Sequence, residues 1–146
     1  TIRLPPAGRR DPLFAGVPDE FEIFTSHVDV VDRSSARIGC GDAVELAHSP
    51  VYRDEALAIG ATCRTIQAHP ELTARIVTAL AHTRRDALVR EGLLGRTDAD
   101  LAAYLAEFRR KDPQIQATSR RILGNWLRHY LHPTATVPQP AAINGY

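Results

Sequence analysis

Residues 65–75 read TIQAHPELTAR, and the fold depends on where this stretch is divided. The residues leading in, ALAIGATCRTIQA (56–68), are small and β-branched around Gly60, which predicts a pair of short strands joined at that glycine. The residues leading out carry Leu72, Ile76 and Leu80 at four-residue spacing, with Leu88 on the same face, which predicts an amphipathic helix. His69 stands at the junction. Pro70 fixes its own φ and confines His69 to extended conformations, which keeps the histidine out of the helix. Glu71 then falls at the predicted helix start, where the N-terminal dipole favours a charged carboxylate.

Upstream of the junction the chain reads as strands and turns. DPLFAGVPDEF (11–21) is punctuated by Pro12, Gly16 and Pro18. FEIFTS (21–26) alternates, with Phe21, Ile23 and Thr25 on one face, and predicts a strand. RIGCGD (37–42) is a turn with two glycines, and AVELAHS (43–49) is a further strand candidate. TIRLPP at the start looks like a strand end with no preceding strand to pair with, which hints at missing partner strands.

Downstream the chain reads as helices. Gly92 and Gly95 end the first. Leu101, Tyr104, Leu105 and Phe108 fall at i, i+3, i+4 and i+7, with Thr97 or Asp98 as the cap. A third helix is predicted from Asp112-Pro113, with the aspartate as cap and the proline in the first turn. Its stripe of Ile115, Ile122, Leu123, Trp126, Leu127 and Tyr130 reads as core packing, with a partner surface as the alternative. From Pro133 the sequence has three prolines and no periodicity, and it reads as a mobile tail. Three parts follow: residues 1–96, a helical extension over 97–132, and a tail over 133–146. Strands first and helices second is by itself an α+β order.

Composition narrows the function classes. The chain has 146 residues, 44% of them hydrophobic, enough for one domain with a core. The net charge is +1, and Lys111 is the only lysine among 18 basic residues. This balance does not favour nucleic acid or an anionic membrane as main partner. No run reaches membrane-spanning length. Two cysteines, Cys40 and Cys63, read as small buried hydrophobes in a reducing, cytoplasmic compartment. The chain contains no methionine and opens on Thr1, so the native start is expected to lie elsewhere or to have been processed.

His69 and Glu71 are the residues with chemistry to offer. A carboxylate beside an imidazole holds one tautomer and stabilises the imidazolium, as a general base requires. The ordinary alternative is a strand-end histidine followed by a helix-start acid. A metal site built from His27, His48 and His69 is a further alternative, with no ligand spacing to support it. His82, His129 and His132 read as structural or exposed.

The motif order adds a resemblance. TIQAHPEL (65–72) resembles the QFHPE signature of the class I glutamine amidotransferases, a family with a Cys-His-Glu triad. DPLFAGVPDEFEIFTSHVDVV (11–31) resembles the segment of GMP-synthase-like members that runs through an SHxDxV turn. GDAVELAHS (41–49) resembles their GAEVLAxS strand. The motifs come in the family's order and cover about residues 10 to 75. The resemblance implies an α/β fold: the C-terminal part of a flavodoxin-like sheet, followed by the helical extension. It implies glutamine as substrate, hydrolysed through a cysteinyl thioester with no cofactor. It casts His69 as base and Glu71 as its orienting acid, and places Ser26, His27, Val28 and Asp29 beside the bound glutamine.

This sequence departs from the family in three places. Val28 stands where the family has glycine, and Ala68 where it has phenylalanine. The G-x-C-x-G elbow carrying the nucleophile does not occur. Cys40 lies in a G-C-G frame downstream of SHVD, and Cys63 lies within a strand. The nucleophile is therefore expected from an N-terminal segment or a second subunit, and the chain alone is expected to be inactive. The alternative is a catalytically inactive relative serving as a binding or regulatory module.

Overall fold

In a computed structural model of the chain, residues 1–26, 29–31 and 43–131 are described. The fold is mixed α/β, with small antiparallel sheets followed by a long C-terminal helix. Strands β3 (Ala43–Ala47), β4 (Ala56–Ile59) and β5 (Cys63–Ile66) form a meander in that order. The turn between β4 and β5 places Gly60 at φ 60°, a left-handed conformation that glycine adopts without a Cβ clash. β4 is the central strand, and its Ala56, Leu57 and Ala58 are buried in an unbroken run. Cys63 opens the edge strand β5 just past the turn and is exposed, contrary to its reading as a buried hydrophobe.

The opening residues do find partners. β1 (Ile2–Arg3) pairs antiparallel with β2 (Glu20–Phe21), and Arg3 also bridges to His48 just beyond β3. Between β1 and β2 run the short helix α1 (Pro6–Arg10) and a 3₁₀ turn over Pro12–Phe14. The predicted strand through FEIFTS joins β2 only at its first residue, Phe21. Its apolar alternation is nevertheless used, for Phe21 and Ile23 are both buried.

Helix α2 (Ala74–Thr83) starts later than the HPE motif suggests. Thr73 is its cap, accepting from the Ile76 amide, and Glu71 sits in the turn before it. The buried face is also rotated: Val77 and Ala81 face the core, while Ile76 remains 36% exposed. A break at Arg84 separates α2 from α3 (Arg85–Arg90), and Gly92 then turns the chain with φ 72°.

Helix α4 (Asp98–Trp126) opens with a capping box, Thr97 and Asp100 each bonding the other's backbone amide. No new helix begins at Asp112-Pro113; Pro113 lies inside α4. The reason is tertiary. Asp112 accepts from the Ala74 amide at the start of α2, and Gln116 donates to the Leu72 carbonyl. These bonds hold α4 in line across the proline, whose ring leaves the Arg109 carbonyl without its helical donor. A π turn over Leu127–Leu131 follows α4.

Two apolar clusters result. One unites Ile2, Leu4, Phe14, Phe21, Leu46 and Ile122 with their neighbours, and the other joins Ala81, Leu94, Leu101 and Leu105. Helix α4 contributes to both. Trp126, however, is 40% exposed and does not belong to the core as its stripe position suggested. None of the helices among the described residues is long and apolar enough to cross a membrane.

Candidate functional site

The site is built where β5 runs out. Beyond Ile66 the chain bends at Ala68, with Gln67 donating its amide to the Glu55 carbonyl and His69 to that of Phe24. Ala68 is buried in the main apolar cluster, whereas the His69 side chain remains partly exposed. A tight turn follows, closed by the Leu72 amide on the His69 carbonyl at 3.3 Å. That turn folds Glu71 back beside the ring.

The result is a dyad. His69 Nδ1 lies 2.7 Å from Glu71 Oε1, and Nε2 lies 3.3 Å from the Ser26 carbonyl oxygen. The side chains are 35% and 60% exposed respectively. Glu71 is held below the ordinary glutamate range. Partial burial raises its pKa, but the hydrogen bond from His69, its own backbone amide and the His69 charge together outweigh that. The α2 dipole is not the cause, because Glu71 precedes the helix.

An Nδ1–H donated to Glu71 leaves Nε2 for proton transfer. The Ser26 carbonyl is an acceptor, so it meets Nε2 only while that nitrogen carries a hydrogen. A proton taken up at Nε2 would find the Ser26 carbonyl and the Glu71 carboxylate placed to stabilise the imidazolium.

Both residues border a cleft of about 240 Å³. Phe24, Ser26, Leu80, Arg84 and Tyr104 also line it. Phe24 stacks obliquely toward the His69 ring at 6.5 Å between centroids and meets Phe108 edge-on at 5.7 Å. It is thus an aromatic support for the histidine, supplied from a distant segment. Burial pushes the Tyr104 hydroxyl above the ordinary tyrosine range. Phe24, Arg84 and Tyr104 have no motif in the sequence that assigns them here. Tyr104 shows only as one member of a helical apolar face.

Of the four residues expected beside a substrate, Ser26 lines the cleft and gives its carbonyl to His69. Asp29 gives its carbonyl to the Gln67 amide group at 3.4 Å. His27 and Val28 lie outside the described residues, as do Cys40 and His132. Cys63 stands at the hairpin end of β5, with the rest of that strand between it and His69. His48 pairs with Glu45 at 2.8 Å instead of meeting His69, and among the described residues no three potential ligands converge on a metal position. His82 and His129 are exposed.

No protein-family model matches the chain, and no curated protein matches it.

Proposed function

We propose that this chain carries the His–Glu part of a class I glutamine amidotransferase-like site, which hydrolyses glutamine to glutamate and ammonia. The observation that carries the reading is the 2.7 Å contact between His69 Nδ1 and Glu71 Oε1 in a pair that borders a cleft. The order of the SHVD, AVELAHS and AHPEL motifs supports it. So does the antiparallel β3–β4–β5 meander that delivers His69, which the proposal takes as the C-terminal edge of a flavodoxin-like sheet.

In this reading the thiol comes from an N-terminal segment or a second subunit. Nε2 takes the thiol proton, and the thiolate attacks the side-chain amide carbon of glutamine. The tetrahedral intermediate collapses to a thioester, and the same proton leaves with the amine as ammonia. Water, deprotonated by Nε2, then attacks the thioester, which releases glutamate and restores the thiol. Glu71 keeps the ring oriented throughout and stabilises its charged form. Ser26 and Asp29, with His27 and Val28 between them, border the glutamine. The reaction needs no cofactor, and a cytoplasmic site of action fits its free thiol.

A second reading, an inactive binding or regulatory module, is favoured by one observation. Among the described residues no thiol or hydroxyl is hydrogen-bonded to His69; Ser26 offers it only a carbonyl. The test is ammonia release from glutamine by the native assembly carrying His69→Ala. Loss of release supports the glutaminase reading, and unchanged release overturns it in favour of the module. The purified chain alone is expected to release none.

A further inference from the structure

The end of α4 and the π turn that follows it present an apolar ridge to solvent. Leu123, Trp126, Leu127 and Leu131 are 40%, 40%, 45% and 51% exposed. Leu123, Trp126 and Leu127 stand at i, i+3 and i+4 on one side of the helix, and Leu131 extends that side through the π turn. Ile115, Ile122 and Asn125 occupy the face that packs on the body and are buried. The ridge therefore lies beside the core contact, and among the described residues nothing covers it.

The neighbouring face is cationic. Arg120, Arg121 and Arg128 line a groove of about 370 Å³. Gly124 lies in it, and a Cβ at that position would meet nothing within 4 Å. Among the described residues none of the three guanidinium groups makes an ion pair, although the chain as a whole is nearly neutral. Among the described residues Arg128 reaches only the Asn125 side-chain oxygen, at 3.5 Å.

We propose that this surface docks an acidic amphipathic helix of a partner protein. A helix laid along the groove sets its apolar stripe on the Leu–Trp ridge and its carboxylates on the arginines. Tryptophan and arginine together are the residue types that dominate binding energy at protein interfaces. A bilayer fits less well. A helix lying on an anionic membrane carries cations on both sides of its apolar stripe, whereas here they stand on one side and the protein body occupies the other.

Trp126 is the only tryptophan in the chain and reports directly on the ridge. The full chain is titrated with a synthetic helix of about 18 residues, leucine on one face and glutamate on the other. Its lysine counterpart and vesicles of phosphatidylserine with phosphatidylcholine are titrated in parallel. A saturable blue shift of Trp126 emission with the glutamate helix alone is expected. Arg120→Glu combined with Arg128→Glu should weaken it roughly tenfold and confer binding of the lysine helix. Leu127→Ser, which leaves every charge in place, should also weaken it. All three positions are exposed, and circular dichroism verifies that the variants remain folded. No shift, equal shifts with both helices, unchanged binding by the variants, or a stronger response to vesicles would each overturn the proposal.

Discussion

At the scale of single residues, the His69–Glu71 pair is held by a local turn and not by burial. An exposed ion pair of this kind contributes little to stability, so Glu71→Gln should move the unfolding free energy by no more than about 0.5 kcal/mol. Ammonia release by the native assembly should fall on the order of a hundredfold or more, because the ring loses both its orienting partner and the charge that stabilises the imidazolium. Stability is read by urea titration and release by a coupled ammonia assay. A large loss of stability would instead make Glu71 structural. The pair also has a defined acid limit. The folded-state pKa of Glu71 is lowered, so its stabilisation is fully present above the unfolded value and disappears as pH falls through the lowered one. The Glu71 carboxyl carbon, followed by NMR, should titrate below a reference glutamate, and His69→Ala should bring it back toward that reference.

At the scale of elements, one polar knot ties the two ends of the fold. Asp11, only 8% exposed, accepts from the Leu13 amide, from Arg64 Nε at 2.8 Å and from the Tyr130 hydroxyl at 2.8 Å. Arg64 in turn lies 5.0 Å above the Tyr130 ring. The N-terminal turn, β5 and the π turn after α4 thus meet at one carboxylate. Asp11→Ala leaves a nearly buried guanidinium without its anion and should cost roughly 3 kcal/mol in urea unfolding. Burial, with the Asp11 hydrogen bond and charge, pushes Tyr130 up to about 12 against the opposing effect of Arg64. A raised folded-state pKa means that its contribution holds below the ordinary tyrosine value and is lost as pH climbs through about 12. An ultraviolet titration should show a late tyrosine that Tyr130→Phe removes. Pro113 makes a different case. It costs α4 one backbone bond while lying between two tertiary anchors, so Pro113→Ala should raise stability by about 1 kcal/mol or more, measured by thermal unfolding.

At the scale of the whole molecule, what could be read from sequence separates from what could not according to range. The β4–β5 hairpin at Gly60, the Thr97 start of α4 and the His69–Glu71 proximity rest on residues a few positions apart, and all three were legible. The continuity of α4 through Pro113 was not, because the groups that sustain it, Ala74 and Leu72, lie about 40 residues away. Nor did periodicity tell which part of a stripe is covered: Ile122 is buried and Trp126 is not, on the same helix. The cleft wall of Phe24, Arg84 and Tyr104 depends on the same long-range packing. Helix α4 is the element through which these distances act. Its Leu101 and Leu105 complete one apolar cluster and its Ile122 completes the other, while Asn125 donates to the carbonyls of Leu13 and Ala15 near the opposite end of the chain. A rigid helix spanning both clusters couples them, so residues 97–131 should not melt independently of the body. Ile122→Ala and Leu101→Ala, at positions 2% and 5% exposed, should each cost about 2–4 kcal/mol. Each should lower one common unfolding transition, seen alike by Trp126 fluorescence and by far-ultraviolet dichroism. Two separated transitions, with only one shifted by each variant, would show that the clusters fold as independent units and that α4 merely lies across them.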